Sequence, residues 1–255
     1  MDGPRLRAAL AGIVAEFDVV DESPSTNAAL LSGSTAPAPA VLVAEFQSAG
    51  RGRLDRTWLS PPRAGLTLSV LLRPSAPVST WAWLPLLAGV ALADAVGAPA
   101  RLKWPNDLLL DEGKAAGILV QVSGDVVVVG IGVNVSNTRA ELPSAAATSI
   151  ELALGRPVDR TDLLISLLTG LLAHYDAWSA ADGDAERSGL RQAYLDACAT
   201  VGQRVVVSSV AAADAGQLVG TATDVDLLGR LVLTGAFGTQ AISAGDVAHV
   251  RPAEA

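Results

Sequence analysis

The amino-acid sequence predicts an α/β (α+β) protein in which a large domain of strands and helices is followed by a small β-barrel. Apolar runs typical of strands alternate with helical patterns as far as residue 200. From Gly202 onwards, short valine- and leucine-rich runs alternate with turn signals, which is typical of a barrel of about fifty residues. The chain has 255 residues, of which 50% are hydrophobic, so it can bury a sizeable core. We therefore expect two domains, at 1–200 and 201–255.

The predicted strands are apolar runs bounded by glycine, proline or polar turn residues. In chain order they are Phe17–Asp21, Ala40–Gln47, Leu66–Leu72, Ala100–Trp104, Leu108–Leu110, Gly117–Ser123 and Asp125–Asn134. The last two flank Ser123-Gly124-Asp125, and this spacing predicts a hairpin. In the barrel region, turns are expected at Ala215-Gly216, Leu228-Gly229 and Ala244-Gly245.

Helices are expected where apolar residues recur at helical spacing after a capping residue. The predicted helices are Asn27–Ser32, Thr80–Val96, Asp159–Trp178 and Glu186–Thr200. Ser25 or Thr26 can cap the first helix, and Ser79 or Thr80 can cap the second, which should end near Gly97.

Composition and charge exclude several classes of protein. The net charge is -8 and no block of like charges occurs, which argues against a nucleic-acid partner. The uncharged run between Arg73 and Asp94 is interrupted by prolines, so we expect a buried helix and no membrane span. The single cysteine, Cys198, cannot form an intramolecular disulfide, and the N-terminus lacks the pattern of a signal peptide. A cytoplasmic location is expected, and Cys198 is interpreted as a buried apolar residue.

The first candidate functional segment is the loop Ser48–Arg56, which contains Gly50-Arg51-Gly52-Arg53. Glycines allow a ligand to approach the backbone, and guanidinium groups suit carboxylates and phosphates. Trp58 follows, where it could close over a ligand, and Gln47 precedes the loop with an amide suited to a cyclic urea or amide. A solvated surface loop is the alternative interpretation.

The second segment is Lys103-Trp104-Pro105-Asn106-Asp107, followed by Lys114. Two lysines in a charge-poor region indicate that an anion binds there. The alternative is an ordinary Pro-Asn-Asp turn in which Asp107 only caps the backbone.

The third segment, Gly130-Ile131-Gly132-Val133-Asn134, ends a very apolar strand. Glycines inside a strand indicate a close approach, and Asn134 could bind an adenine or amide edge. The segment is neither a dinucleotide fingerprint nor a GxxxxGK[ST] phosphate loop. His174 and His249 are both expected to be structural.

Together these segments resemble the biotin–protein ligase family, also called biotin–[acetyl-CoA-carboxylase] ligase, in its monofunctional form. The matching pieces are Ser25-Thr26-Asn27, Glu45-Phe46-Gln47, Gly50-Arg51-Gly52-Arg53, Lys103-Trp104-Pro105-Asn106-Asp107, Lys114, Gly117-Ile118-Leu119 and Gly130-Ile131-Gly132-Val133-Asn134. The arginine loop and the KWPND segment are highly specific in combination.

The resemblance implies a mixed β-sheet flanked by helices, of the class II synthetase or biotin–lipoate ligase type, with a C-terminal SH3-like barrel. It implies that biotin reacts with ATP, with Mg²⁺ as its metal, to give biotinyl-5′-AMP. The biotinyl group then passes to a lysine of a biotin carboxyl carrier protein of a biotin-dependent carboxylase. No tightly bound prosthetic group is implied, and a weak homodimer is left open. Because Ser25 begins the matching region, a DNA-binding domain and transcriptional repression are not expected.

The resemblance also implies roles for residues. The catalytic residues are Lys114, Asp107 and Arg51. The biotin-binding residues are Ser25, Thr26, Asn27, Gln47, Gly50, Arg51, Arg53, Lys114, Gly117, Ile118 and Gly130. The nucleotide-binding residues are Arg51, Arg53, Trp58, Lys103, Asn106, Lys114, Asn134 and Arg251, with Arg56 as a further candidate. No residue is expected to bind a metal directly.

Three alternatives remain at this point. A lipoate–protein ligase shares the fold and the acyl-adenylate chemistry, but lipoate has no urea for polar side chains to bind. A non-catalytic adaptor would bind peptides through the barrel, and it would not need Lys114 and Asp107. A DNA-binding regulator is disfavoured by the acidic charge balance.

Overall fold

The computed structural model describes residues 1–32, 35–54, 56–208, 217–243 and 245–249, and its larger sheet has seven strands. These strands are β1 (Glu16–Val20), β2 (Ala40–Ala44), β3 (Gly65–Leu72), β4 (Arg101–Lys103), β5 (Asp107–Leu110), β6 (Gly113–Ser123) and β7 (Val126–Asn134). Their order is β1-β2-β3-β7-β6-β5-β4. Strands β1 and β2 are parallel and the other pairs are antiparallel, so the sheet is mixed as expected.

Helices cover both faces of this sheet. They are α1 (Gly3–Leu10), α2 (Thr26–Ser32), α3 (Leu84–Val96), α4 (Ile150–Leu154), α5 (Arg160–Ala180) and α6 (Leu190–Ala197). Helices α3 and α5 pack together over the large core, whereas α2 packs on β2, β3 and β7 beside a smaller apolar cluster that includes Leu71 and Val128. Because side chains alternate along a strand, every second residue of β3, β6 and β7 faces α2. This face carries the cavity described below.

Helix α3 begins later than predicted. A 3₁₀ turn at Val78–Trp83 precedes it, and Thr80 donates its hydroxyl hydrogen to the carbonyl of Pro77 at 2.7 Å. The expected capping role of Ser79 or Thr80 is therefore wrong, while the end at Gly97 is confirmed. Within the described part of the chain, Val78–Val96 is the one helical segment long and apolar enough to cross a membrane, and 56% of its most apolar window is buried in the protein. Its contacts with α5 are those of a core helix.

Other boundaries differ for local reasons. The predicted helix Glu186–Thr200 is shorter because Gly189, with φ 76°, starts it and Cys198 already has extended backbone. The predicted strand Ala40–Gln47 ends at Ala44. Helices α1 and α4 were not predicted from the sequence. The hairpin of β6 and β7 around Gly124 is confirmed.

The smaller sheet is antiparallel and lies at the C-terminal end, as expected for an SH3-like unit. Its strands are β8 (Arg204–Ser208), β9 (Gln217–Val225), β10 (Leu231–Gly235), β11 (Gly238–Ile242) and β12 (Asp246–His249), in the order β11-β10-β9-β8-β12. Gly229, with φ 74°, lies in the predicted turn between β9 and β10. The predicted turn at Ala215-Gly216, and Ala244 of the third turn, lie outside the described residues.

Tryptophans join the two sheets. The ring N–H of Trp104 donates to the carbonyl of Gly229 at 3.1 Å, and that of Trp83 donates to Leu227 at 2.8 Å. Trp104 is only 2% exposed. The tryptophan of the KWPND segment therefore holds the second sheet beside the strands that carry the charged residues.

Candidate active site

A cavity of about 820 Å³ lies on the α2 face of the large sheet. The sheet forms its floor, the arginine loop covers it, and β12 contributes to one end. The strand register aligns Ser69 of β3 with Gly130 of β7, and Gly132 of β7 with Gly117 of β6. The polar and glycine positions predicted from the sequence therefore lie on one surface.

One end of the cavity holds a network of neutral polar side chains. The amide N–H and the hydroxyl of Thr26 both donate to Gln47 Oε1, at 2.9 and 3.1 Å. Ser69 Oγ lies 2.6 Å from Asn27 Oδ1 and 2.7 Å from Thr26 Oγ1. Asn27 Nδ2 donates to the Gln121 side chain at 2.9 Å and to the Leu119 carbonyl at 3.1 Å. Since Gln47 Oε1 is already bound, its Nε2 group is the donor left for a ligand.

Ser25 has a structural contact in addition to its place in the cavity wall. Its hydroxyl accepts a hydrogen bond from the Ala28 amide at 3.4 Å, as the predicted cap of α2. Ile118 lines the cavity as expected, while its side chain also packs in the core and approaches Gly89 of α3. Its backbone groups pair with Asn106, at 2.9 Å in each direction.

The glycines of the floor make room for protein side chains. A Cβ atom on Gly130 would lie 2.1 Å from Asn27 Oδ1, and one on Gly132 would lie 2.4 Å from Trp58 Cε2. A Cβ atom on Gly117 would lie 3.3 Å from both the Trp58 ring and Lys114 Nζ. Gly117 and Gly130 both line the cavity, and the expectation that they leave room for backbone contacts of biotin stays a prediction.

Lys114 and Asp107 meet in the middle of the cavity. Asp107 begins β5 and aligns with Gly117 of β6. The distance from Lys114 Nζ to Asp107 Oδ1 is 2.6 Å, and the side chains are 38% and 19% exposed. The contact is not directed as a hydrogen bond, so among the described residues no donor satisfies the buried Oδ1. The alternative in which Asp107 only caps a turn is not what the structure shows.

The arginine loop connects the two sheets above this pair. Arg53 donates to Asn106 Oδ1 at 3.1 Å and to the Gly245 carbonyl at 3.4 Å. Arg51 and Arg56 also line the cavity. The loop is closed at its base by a hydrogen bond from the Trp58 amide to the Gly50 carbonyl at 2.9 Å. It is part of the site, unlike the solvated loop considered as its alternative.

Trp58 and Asn134 lie against the floor on the same side. The Trp58 ring stacks over Gly132, and its Nε1 is buried with no acceptor among the described residues. Asn134 is 3% exposed and donates to the Thr148 carbonyl at 3.0 Å. One amide hydrogen of Asn134 is therefore used within the protein.

The far end of the cavity contains Lys103 and Glu112 and is shared with the barrel. Lys103 of β4 and His249 of β12 both line it. Burial and then the charge of Lys103 lower the pKa of His249, and Glu112 opposes this shift. His249 was expected to be structural, and that expectation did not include its place in the cavity wall. His174 instead lies on α5, 3.1 Å from Asp94 on α3, and Arg251 lies outside the described residues.

Sequence reasoning missed Ser69, Gln121 and His249. Ser69 could have been found, because it and Thr67 are polar residues at alternate positions of a strand that is buried throughout. His249 could not, since its position depends on how the barrel packs against β4. Among the described residues, no group of three or more His, Cys, Asp or Glu side chains could hold a metal ion.

The fold and the site define a protein ligase of the biotin and lipoate class. The profile of the Biotin/lipoate A/B protein ligase family matches residues 17–136, which include every motif of the cavity floor and the arginine loop.

Individual relatives indicate the family within this class to which the chain belongs. A biotin--[acetyl-CoA-carboxylase] ligase of Mycobacterium tuberculosis (strain ATCC 25618 / H37Rv) is 39% identical over 247 residues, covering 92% of this chain and 90% of the relative. The bifunctional ligase/repressor BirA of Escherichia coli (strain K12) is 37% identical over 174 residues, covering 64% of this chain and 53% of the relative. The structure of biotin protein ligase from Aquifex aeolicus in complex with biotin and ATP has a TM-score of 0.78 and 27% identity, covering 93% of this chain and 100% of that one. The chain belongs to the biotin--[acetyl-CoA-carboxylase] ligase family.

Proposed function

We propose that this enzyme activates biotin with ATP as biotinyl-5′-AMP and transfers the biotinyl group to a lysine of a biotin carboxyl carrier protein. The observation that carries the proposal is the Lys114–Asp107 pair, which lies in one cavity between the neutral network and Lys103. The complex of the Aquifex aeolicus relative with biotin and ATP supports this choice of substrates.

The neutral end suits the ureido ring of biotin. A urea offers N–H donors and a carbonyl acceptor but no charge, so it needs neutral partners in a buried site. Thr26, Gln47 and Ser25 would bind it, and Asn27 would hold Thr26 in place through Ser69. Gly50 lets the Trp58 backbone pack directly on the loop, which keeps Gln47 at the cavity.

The first half-reaction brings two anions together. A carboxylate oxygen of biotin forms a bond to the α-phosphorus of ATP, and the bond from that phosphorus to pyrophosphate breaks. Cations must offset the repulsion and the charge that develops in the transition state. Lys114 would lie between the two reacting groups, with Arg51 and Arg53 above them and Lys103 and Asn106 on the nucleotide side. Trp58 and Asn134 would hold the adenosine, and Arg251 is a further phosphate ligand.

The second half-reaction needs a neutral amine. An unperturbed lysine has a pKa near 10.4, so only about one in a few thousand is uncharged at pH 7. Asp107, whose Oδ1 lies 2.6 Å from Lys114 Nζ in the cavity, would receive the ammonium proton of the acceptor lysine. The amine nitrogen then bonds to the biotinyl carbonyl carbon, and the carbon–oxygen bond to AMP breaks.

Mg²⁺ would reach the site on the nucleotide phosphates, because the described residues offer no cluster of ligands for it. When bound it would neutralise phosphate charge.

Further parts of the proposal concern the setting of the enzyme. We place the domain boundary at 1–200 and 201–255 and the enzyme in the cytoplasm. We also propose that it does not repress transcription, in keeping with a net charge of -8. A fluorescence-anisotropy titration with duplex DNA at 50 mM salt should show no binding at micromolar protein, and tight salt-sensitive binding would contradict this part.

Biotin-dependent exchange of labelled pyrophosphate into ATP tests the central proposal. We expect exchange with biotin and none with lipoate. Exchange with lipoate alone would identify a lipoate ligase, and exchange with neither would favour the non-catalytic adaptor. Incubation with an isolated carrier domain should then transfer the biotinyl group to one lysine, which mass spectrometry can locate.

A further inference from the structure

His249 belongs to the cavity, but neither the sequence motifs nor the proposed mechanism use it. It lies on β12 and lines the far end of the cavity together with Lys103 of β4. The two side chains are close enough for the ammonium charge to lower the pKa of the imidazole. A half-buried histidine beside a lysine is unfavourable when both are charged, so this pair needs a neutral ring or an anion between them.

Thr200 binds the Nε2 nitrogen of the ring. Thr200 Oγ1 accepts a hydrogen bond from the Trp104 amide at 3.0 Å and lies 3.2 Å from His249 Nε2. Its hydroxyl hydrogen can point to Nε2, which then acts as an acceptor. In that arrangement the neutral ring of His249 carries its hydrogen on Nδ1. Among the described residues, the charged groups that act on the ring are Lys103 from β4 and Glu112 from the β5–β6 turn.

The order of the polar and charged side chains across the sheet indicates which part of ATP would lie beside Lys103 and His249. The neutral network lies on β3, β7 and β6, the Lys114–Asp107 pair lies on β6 and β5, and Lys103 lies on β4 beside the barrel. An in-line displacement at phosphorus places the leaving group opposite the attacking oxygen. If biotin attacks from the neutral end, the leaving pyrophosphate points to Lys103 and His249.

We propose that His249 binds the pyrophosphate portion of ATP, donating a hydrogen bond from Nδ1–H to a phosphate oxygen beside the Lys103 ammonium. This inference rests on the proposed function, and it adds His249 to the phosphate ligands proposed above. The covalent step is unchanged, because His249 neither gains nor loses a proton as the phosphorus–oxygen bond breaks.

Proton NMR of the imidazole rings tests the proposal directly, since His174 and His249 are the histidines of the chain. The probe is inorganic pyrophosphate added to the full chain without biotin. An adjacent multivalent anion favours the imidazolium form, so the pKa of His249 should rise by about one unit. The proton resonances of His174, which lies on α5 outside the cavity, should not respond to pyrophosphate. A His249 pKa that stays constant at millimolar pyrophosphate, or resonances of the two rings that respond equally, overturns the proposal.

Steady-state kinetics of biotin-dependent exchange give a second test. His249→Ala should raise the KM for ATP about tenfold and leave the KM for biotin unchanged, which is the loss of one hydrogen bond to a charged group. His249→Gln, which keeps an N–H donor, should recover part of this loss, and His174→Gln should match the wild type. An unchanged KM for ATP in His249→Ala counts against the proposal. Absence of exchange in the wild type would instead contradict the proposed function, and the NMR titration does not depend on exchange.

Discussion

Substitutions of the two residues in the Lys114–Asp107 pair should affect different half-reactions. Lys114→Ala removes the cation between biotin and the α-phosphate, and we expect the rate of adenylation to fall by about 10²–10³. Single-turnover formation of biotinyl-5′-AMP measures this rate. Arg156→Ala is the matched control, because it removes an exposed cation outside the cavity. A Lys114→Ala variant with a normal rate would show that other groups carry the charge.

Asp107→Asn should affect mainly the transfer step. The amide keeps the shape of the side chain but cannot accept a proton from the incoming ammonium group. We expect transfer to slow by about 10²-fold, within the usual range for a general base, while adenylation changes much less. Quenched-flow measurement of both steps tests this, and an equal loss in both would mean that Asp107 acts by holding Lys114.

Ser69 is the residue that connects the neutral network. Its hydroxyl is fully buried and donates to Asn27 Oδ1 at 2.6 Å. Ser69→Ala leaves that oxygen without its donor, so we expect a loss of stability of about 1–3 kcal/mol and a higher KM for biotin. Urea unfolding and exchange kinetics measure the two effects. Ser32→Ala, at the exposed end of α2, should leave both unchanged.

Among the elements, α5 depends on its capping residue. Asp159 accepts hydrogen bonds from the Thr161 amide at 2.7 Å and the Asp162 amide at 3.1 Å, and these bonds lower its pKa. Because the folded pKa is depressed, the contribution to stability is present above the unfolded pKa of about 3.9 and is lost as the pH falls through the folded pKa.

Asp159→Ala should therefore cost about 1 kcal/mol at pH 7. The difference from the wild type should shrink below about pH 4, while Asp159→Asn should retain most of the cap at all pH values. Urea denaturation at several pH values measures this. A pH-independent difference between Asp159→Ala and the wild type would contradict the assigned cause.

Glycine positions distinguish elements that form the site from elements that support it. A Cβ atom at Gly130 would overlap Asn27 Oδ1, whereas one at Gly170 of α5 meets only a methyl group at 3.9 Å. We expect Gly130→Ala to displace Asn27 and raise the KM for biotin. Gly170→Ala should leave the KM unchanged and stabilise α5 by up to about 1 kcal/mol. A Gly130→Ala enzyme with normal biotin kinetics would show that Asn27 can move without consequence.

At the scale of helices and strands, the sequence predicts features that depend on residues close together in the chain. Periodicity places the strands of the sheet and the long helix α5, because alternation and the 3.6-residue repeat reflect burial directly. Periodicity gives the wrong start for α3, because Thr80 lies in a 3₁₀ turn that continues the helical pattern. It also gives the wrong start for α6, because the positive φ angle of Gly189 interrupts the helix. The motifs predict which side chains gather at the cavity, but the partner of Arg53 on the barrel depends on tertiary packing.

At the scale of the whole molecule, the barrel packs against the large domain so that one apolar core continues from one sheet to the other. Buried residues of β8 to β10, such as Val207 and Leu233, belong to the same apolar cluster as those of α3 and β7. Arg191 of α6 donates to both carboxylate oxygens of Asp224 at 2.7 Å and to the Val225 carbonyl at 2.9 Å. The apolar core thus extends across the boundary that we propose near residue 200.

A shared core predicts that both parts unfold together. Trp83 and Trp104 donate to barrel carbonyls, so tryptophan fluorescence reports on the junction, and far-UV circular dichroism reports on the helices. We expect the two urea transitions to coincide. Arg191→Leu should lower the midpoint, with a loss of about 1.5 kcal/mol, and Arg187→Leu should not. A fluorescence transition that precedes the loss of helix would mean that the barrel undocks first, and the adenylation site would then be incomplete before the large domain unfolds.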